Sequence, residues 1–224
     1  MVAAIAVRDG LTTNEVAAVA SVPSRHVRHM IEAHFFPDEV IWHHDRRPAF
    51  KPSAAVFVAF DIRASNLLTA DARRTAISDL ADHFRTSIKI IEPRSWKVPS
   101  DLSLSDGFLK IDAASLIKSV AESIERLFEA KERVVRDPEI LSGTPVLRGT
   151  RIPVYDIAAS VDKGISKERI LRAYSDLTIR DIELAHLWAK ANPPMGRPKR
   201  AIGPSSHETT VRRRVTRRKV AAEV

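Results

Sequence analysis

The sequence has no cysteine in its 224 residues. That removes disulfides and every thiolate metal site, and it agrees with a reducing cytoplasm. Glycine is almost as scarce, with 7 residues. No Walker A pattern, Ser-centred elbow or HExxH occurs, and so few glycines argue against a nucleotide fold built on a Gly-rich loop. Apolar runs stay well short of the roughly 18 residues that a membrane-spanning helix needs. The opening Met1–Val7 is too short for a signal sequence and runs into Arg8-Asp9 without a small-residue cleavage site. A cytoplasmic protein that neither catalyses nor holds a cofactor is the expectation.

Acids and histidines, the remaining metal ligands, are scattered. Asp137, Glu139, Asp156 and Asp176 read as helix caps and arginine partners rather than magnesium ligands. Five of the eight histidines fall between His26 and His44. His43 and His44 are adjacent on an expected strand, where neighbours point to opposite faces, so they do not readily share one ion. No metal site is expected.

Basic residues are present in excess but unevenly placed. The formal net charge is +8, of which +7 lies between Gly196 and Val224. The body is therefore close to neutral and the basicity belongs to a tail carrying Arg197, Lys199, Arg200, Arg212, Arg213, Arg214, Arg217 and Arg218. Beyond Pro193-Pro194 no apolar periodicity remains, so this tail reads as disordered when alone. Its charge asks for a polyanion, either nucleic acid or an acidic protein pocket.

Helix signals cluster at the front of the chain. Thr12 and Glu15 have capping-box spacing, with Val16, Ala17 and Ala20 as the apolar stripe behind them. Ser21-Val22-Pro23 breaks that helix. Ser24 is the expected N-cap of a second helix to about His34, with Val27, Met30 and Ile31 inward and Arg25, His26, Arg28 and His29 on the opposite face. Two short helices around a tight turn form the unit that places its second helix in a DNA major groove. Strand-like runs at Val40–His43 and Pro48–Lys51 then predict a hairpin, a wing with Arg46 and Arg47 at its tip. Helices over Ser53–Phe60 and about Ala70–Arg85 complete a first domain, 1–86.

A middle segment, 87–132, shows strand character at Ser87–Ile91, Trp96–Val98 and Phe108–Ile111, with Ser100–Gly107 as a separator. A long helix from about Ala113 to Lys131 follows, carrying Leu116, Val120, Ile124 and Leu127 on one face. A second domain, 133–193, contains three helices, at Val154–Lys163, Lys167–Tyr174 and from Thr178 to about Ala191. Ser166 and Thr178 cap the last two. Its expected core includes Val154, Ile157, Ile170, Ile182, Ala185 and Trp188. The fold class is thus mainly α: a winged helix-turn-helix, a small α+β segment, a three-helix helix-turn-helix-like domain and a basic tail, 194–224.

Between the long helix and these three lies Gly143-Thr-Pro-Val-Leu-Arg-Gly-Thr-Arg-Ile-Pro153. Gly143 and Gly149 suit positive φ, Pro145 and Pro153 stiffen the path, and Thr150 can bond backbone groups. Two prolines remove N–H groups that a phosphate cradle needs. The stretch reads as structural, with Arg148 and Arg151 clamping carboxylates such as Asp137 or Asp156.

These residues also carry a resemblance. Asp137-Pro-Glu-Ile, Gly143-x-Pro145, Arg148-Gly-Thr-Arg-Ile-Pro-Val154, Gly164-Ile-Ser and Tyr174-x-x-Leu-Thr-x-x-Asp-Ile182 resemble the domain-of-unknown-function 433 family over about 60 residues. More loosely, the N-terminal half is similar to MerR-like winged helix-turn-helix domains. The resemblance implies a bacterial, VapB-like antitoxin that neutralises a PIN-type ribonuclease toxin and represses its own promoter, as a homodimer. A stand-alone helix-turn-helix regulator or nucleoid-associated DNA-binding protein, with the tail as a second DNA contact, is the alternative.

Overall fold

Thr12 and Glu15 form the reciprocal cap their spacing predicts. The Glu15 N–H donates to the Thr12 hydroxyl at 3.3 Å, and the Thr12 N–H donates to the Glu15 carboxylate at 2.9 Å. They start helix α1, Thr13–Val19, in a computed structural model that describes residues 10–44, 47–87, 102–104, 109–111 and 113–194. The turn after α1 passes through Ser21 at φ 57° and is closed by the Val22 N–H donating to the Ala17 carbonyl at 2.9 Å. Helix α2, Ser24–Glu32, follows. Its N-cap is Pro23, not Ser24. Pro23 holds the extended backbone of the cap, so the Ser24 hydroxyl lies one position inside the helix and caps nothing.

The expected hairpin is present. Strands β2, Ile41–His44, and β3, Arg47–Phe50, pair antiparallel with Trp42 opposite Ala49. Strand β1, Leu11–Thr12, adds to the other edge of β3, giving the order β1-β3-β2. Gly10, at φ +73°, is obligatory before β1, because a Cβ there would come within 2.5 Å of the Trp42 ring.

Helix α3, Ala54–Ala64, is buried on every side through Asp61, as an almost wholly apolar helix requires. Helix α4 spans Ala70–Ser87. Ser87 therefore ends a helix rather than opening a strand. Strands β4, Leu102–Leu104, and β5, Leu109–Ile111, form an antiparallel pair. The first lies inside the stretch expected only to separate strands: alternating Leu-Ser-Leu was short enough to pass for a loop. The other two expected strand runs fall outside the described residues, apart from Ser87.

Helix α5, Ala113–Arg133, keeps Leu116, Val120, Ile124 and Leu127 in a first apolar core together with Val16, Val27, Phe50 and Phe57. Its last turns reach a second core. There Ala130 meets Ile157, Ile170, Ile182 and Trp188. Around this core, strand β6, Val134–Val135, pairs with β7, Val146–Leu147. Helices α6, Val154–Asp162, α7, Lys167–Ala173, and α8, Ile179–Ala191, complete it. Ser166 accepts from the Arg169 N–H, and Thr178 and Asp181 form the second capping box, both as the spacing predicts. Helix α8 also belongs to both cores, since Ala191 and Leu187 pack with the first. Among the described residues the architecture is mainly helical with three small sheets, and those up to Pro194 form one compact unit.

Both cores are tied to the end of α5 by charge. Lys131 reaches the Glu15 carboxylate of the first capping box at 2.6 Å, and Arg133 reaches the Asp181 carboxylate of the second at 2.5 Å. Glu15 and Asp181 are both buried. A buried carboxylate persists when cations and N–H donors satisfy it. Each cap thus serves twice, starting its own helix and anchoring α5.

Candidate nucleic-acid interface

Helix α2 separates its residues by face. Val27 and Met30 are fully buried, which fixes the roll of the helix, while Arg25, Arg28 and His29 are exposed on the side away from them. The three donors lack a protein partner among the described residues. A row of long, unpaired donors on a rigid helix can hydrogen-bond phosphates and base edges. Arg47, on the β2–β3 hairpin, is exposed as well. Arg46, and all of Arg197, Lys199, Arg200, Arg212, Arg213, Arg214, Arg217 and Arg218, lie outside the described residues.

His26 does not join that row. Its side chain is 18% exposed and turns to Asp61 of α3, with Nε2 3.1 Å from Oδ2. The approach is off the hydrogen-bonding direction, and Nε2 is a buried polar atom without a hydrogen bond. The reason for the inward turn is helical spacing: His26 lies four residues before Met30, so it flanks the apolar stripe. Asp61 is itself held by Arg73 of α4, whose Nε donates to Oδ1 at 2.6 Å while Nη1 donates to the Leu68 carbonyl at 2.8 Å. Arg73 and Arg74 both lie over the Phe35 ring, at 5.8 and 4.7 Å. Three helices therefore meet at one buried carboxylate beneath the exposed face of α2. Sequence reasoning missed this group. A lone acid ending the run Ala54-Ala-Val-Phe-Val-Ala-Phe60 was the available signal, since an acid in so apolar a helix needs a partner.

The Gly143–Pro153 stretch is held largely by backbone and hydroxyl hydrogen bonds. Gly143 and Gly149 both take φ 78°. The Thr150 hydroxyl donates to the Leu147 carbonyl at 2.8 Å and accepts from the Ile152 N–H at 3.1 Å. The Val154 N–H donates to the Pro145 carbonyl at 2.9 Å, and Pro153 bridges Val146. Arg148 clamps a backbone carbonyl, that of Glu132 at 3.0 Å, rather than Asp137 or Asp156. The loop runs back along the end of α5, so carbonyls lie nearer than those acids. Arg151 is exposed and unpaired among the described residues. The carboxylate clamp here is Arg133, which spans Asp181 and the Arg148 carbonyl.

Burial alone would raise the Asp181 pKa. The Arg133 guanidinium and the Thr178 N–H and hydroxyl outweigh it and hold the carboxyl below its ordinary value. On the same helix Glu183 is lowered chiefly by Lys167, whose ammonium sits 2.5 Å away. The acids of α8 are thus largely neutralised. Among the described residues no three His, Asp or Glu side chains converge as metal ligands, and no helix is long and apolar enough to cross a membrane.

Residues 134–189, which include this loop, helices α6 and α7 and most of α8, match the family described as "Protein of unknown function (DUF433)". Over 216 residues the chain is 36% identical to the uncharacterized protein y4eO of Sinorhizobium fredii (strain NBRC 101917 / NGR234), covering 96% of each. The chain belongs to the family of that protein. No solved structure matches it.

Proposed function

We propose that the protein is a DNA-binding antitoxin. In this reading α1, α2 and the β2–β3 hairpin act as a winged helix-turn-helix of MerR-like type on promoter DNA. The observation that carries it is the division of α2, with Val27 and Met30 locked in the core and Arg25, Arg28 and His29 presented together without partners among the described residues. A homodimer would match paired half-sites. The antitoxin half of the reading is supported by the family to which residues 134–189 belong and by the +7 charge after Pro194. Arginines of that segment suit the acidic, metal-holding site of a PIN-type ribonuclease, where they would displace magnesium.

Binding of DNA from upstream of the protein's own reading frame, measured at two salt concentrations, tests the first half. Capture of a co-expressed neighbouring ribonuclease, with and without residues 196–224, tests the second. Removal of the tail should abolish capture and leave sequence-specific DNA binding intact. The same charge supports a second reading, a stand-alone regulator with a second DNA contact. That reading predicts a weaker complex and a shallower salt dependence after the same deletion. Magnesium-dependent cleavage of RNA or DNA by the purified protein would overturn both.

A further inference from the structure

A cleft of about 640 Å³ opens between the α1–α2 turn and the helices α6 to α8. Its floor is apolar, made by Ala17, Ala18, Val22, Val161, Ile182 and Leu187. Polar groups converge on it from both sides. Asn14, Ser21 and Ser24 come from the N-terminal helix pair and Lys190 from α8, and none of the four side chains has a partner among the described residues. The other ionisable groups at the rim already have partners, Lys167 with Glu183 at 2.5 Å and His186 with Asp162 at 2.8 Å. Among the described residues Lys190 is thus the rim cation left without a partner. A concave apolar surface of this size with a few convergent polar groups has the form of a small-molecule site.

We propose that this cleft binds a small amphipathic carboxylate, an acid with an aromatic or branched body of about six to ten carbons. The body lies on the apolar floor. The carboxylate faces the Lys190 ammonium, with the Asn14 amide and the Ser21 and Ser24 hydroxyls as further donors. A cation of the same shape would meet Lys190 as a like charge and be rejected. Because the lining comes from both the α1–α2 turn and α8, an occupant would brace the two cores against each other and raise the unfolding temperature by mass action. The inference stands independently of the DNA-binding reading.

The test uses the full chain and three probes with one body and different heads: 3-phenylpropionate, 3-phenylpropanol and 3-phenylpropylamine. Binding is read by calorimetry and by amide chemical shifts of residues 14–24 and 182–193. Saturable binding of the propionate is expected, with the amine at least about tenfold weaker. Lys190 is exposed and has no partner among the described residues, so Lys190→Met should leave the fold intact and cost the propionate about tenfold in affinity, while Lys190→Glu should reverse the preference towards the amine. Equal binding of all three probes, no saturation by about 10 mM, or an unchanged preference in Lys190→Glu would each overturn the proposal.

Discussion

The two capping boxes offer a natural comparison. Thr12–Glu15 and Thr178–Asp181 are built alike, each with a buried acid at the third helical position, and each acid receives a cation from the last turns of α5. They differ in what the cation does next. Lys131 offers Glu15 an ammonium and lies 6.0 Å from the Phe128 ring. Arg133, with a planar fork of donors, holds Asp181 and the Arg148 carbonyl together and so fastens the Gly143–Pro153 loop to the same anchor. The difference teaches where each region is specified. The C-terminal region, the part that matches DUF433, is held by a network converging on Arg133. The N-terminal region relies on two separate carboxylates, Glu15 and Asp61, the second of which sets the bed for α2.

That contrast can be broken at its largest point first. Asp61→Ala leaves Arg73 and His26, both partly buried, without their partner and should cost about 3 kcal/mol, read from the urea midpoint. Asp181→Asn should cost less, about 2–3 kcal/mol, because Arg133 is one-third exposed and water relieves it. It also tests the sign of a pH effect. The folded Asp181 carboxyl is held below its unfolded value, so its stabilisation is complete above the ordinary carboxylate range. That stabilisation disappears as the pH falls through the lowered folded value. The wild type should lose this increment on acidification, and Asp181→Asn should show no corresponding loss. Thr12→Ala and Thr178→Ala should each cost about 1 kcal/mol, matched because the caps are matched. In the loop, Arg151→Ala should change stability by less than about 0.5 kcal/mol, whereas Arg148→Ala should destabilise measurably by freeing the Glu132 carbonyl. Equal effects of the two arginine substitutions would remove the distinction between clamp and free side chain.

Local signals were legible in the residues themselves. Both capping boxes, the Ser166 cap, the hairpin and the apolar face of α5 follow from spacings of two to four residues, and each is where the spacing places it except the hairpin, whose strands are shifted by one residue so that His44 and Arg47 pair instead of lying in the turn. The interactions between distant segments were not legible. Glu15 and Lys131 are far apart in sequence, as are Arg133 and Asp181, and nothing in either neighbourhood names its partner. Strands β6 and β7 have two residues each, too few for a period to register. The error at His26 was one of angle. Its type suggested a donor for DNA, while its place one turn before Met30 put it at the edge of the core. Arg25, Arg28 and His29 lie farther round the helix and keep the exposure expected of them.

The central claim is that this exposed face reads DNA. The most direct measurement is the affinity of Arg25→Ala/Arg28→Ala for DNA from upstream of the protein's own reading frame, beside a scrambled duplex of equal length. The account predicts a loss of about 1–3 kcal/mol per base-reading arginine on the upstream duplex. A thermal unfolding midpoint close to wild type is also expected, since neither side chain has a partner to lose among the described residues. Unchanged binding to both duplexes by the folded double variant would contradict it.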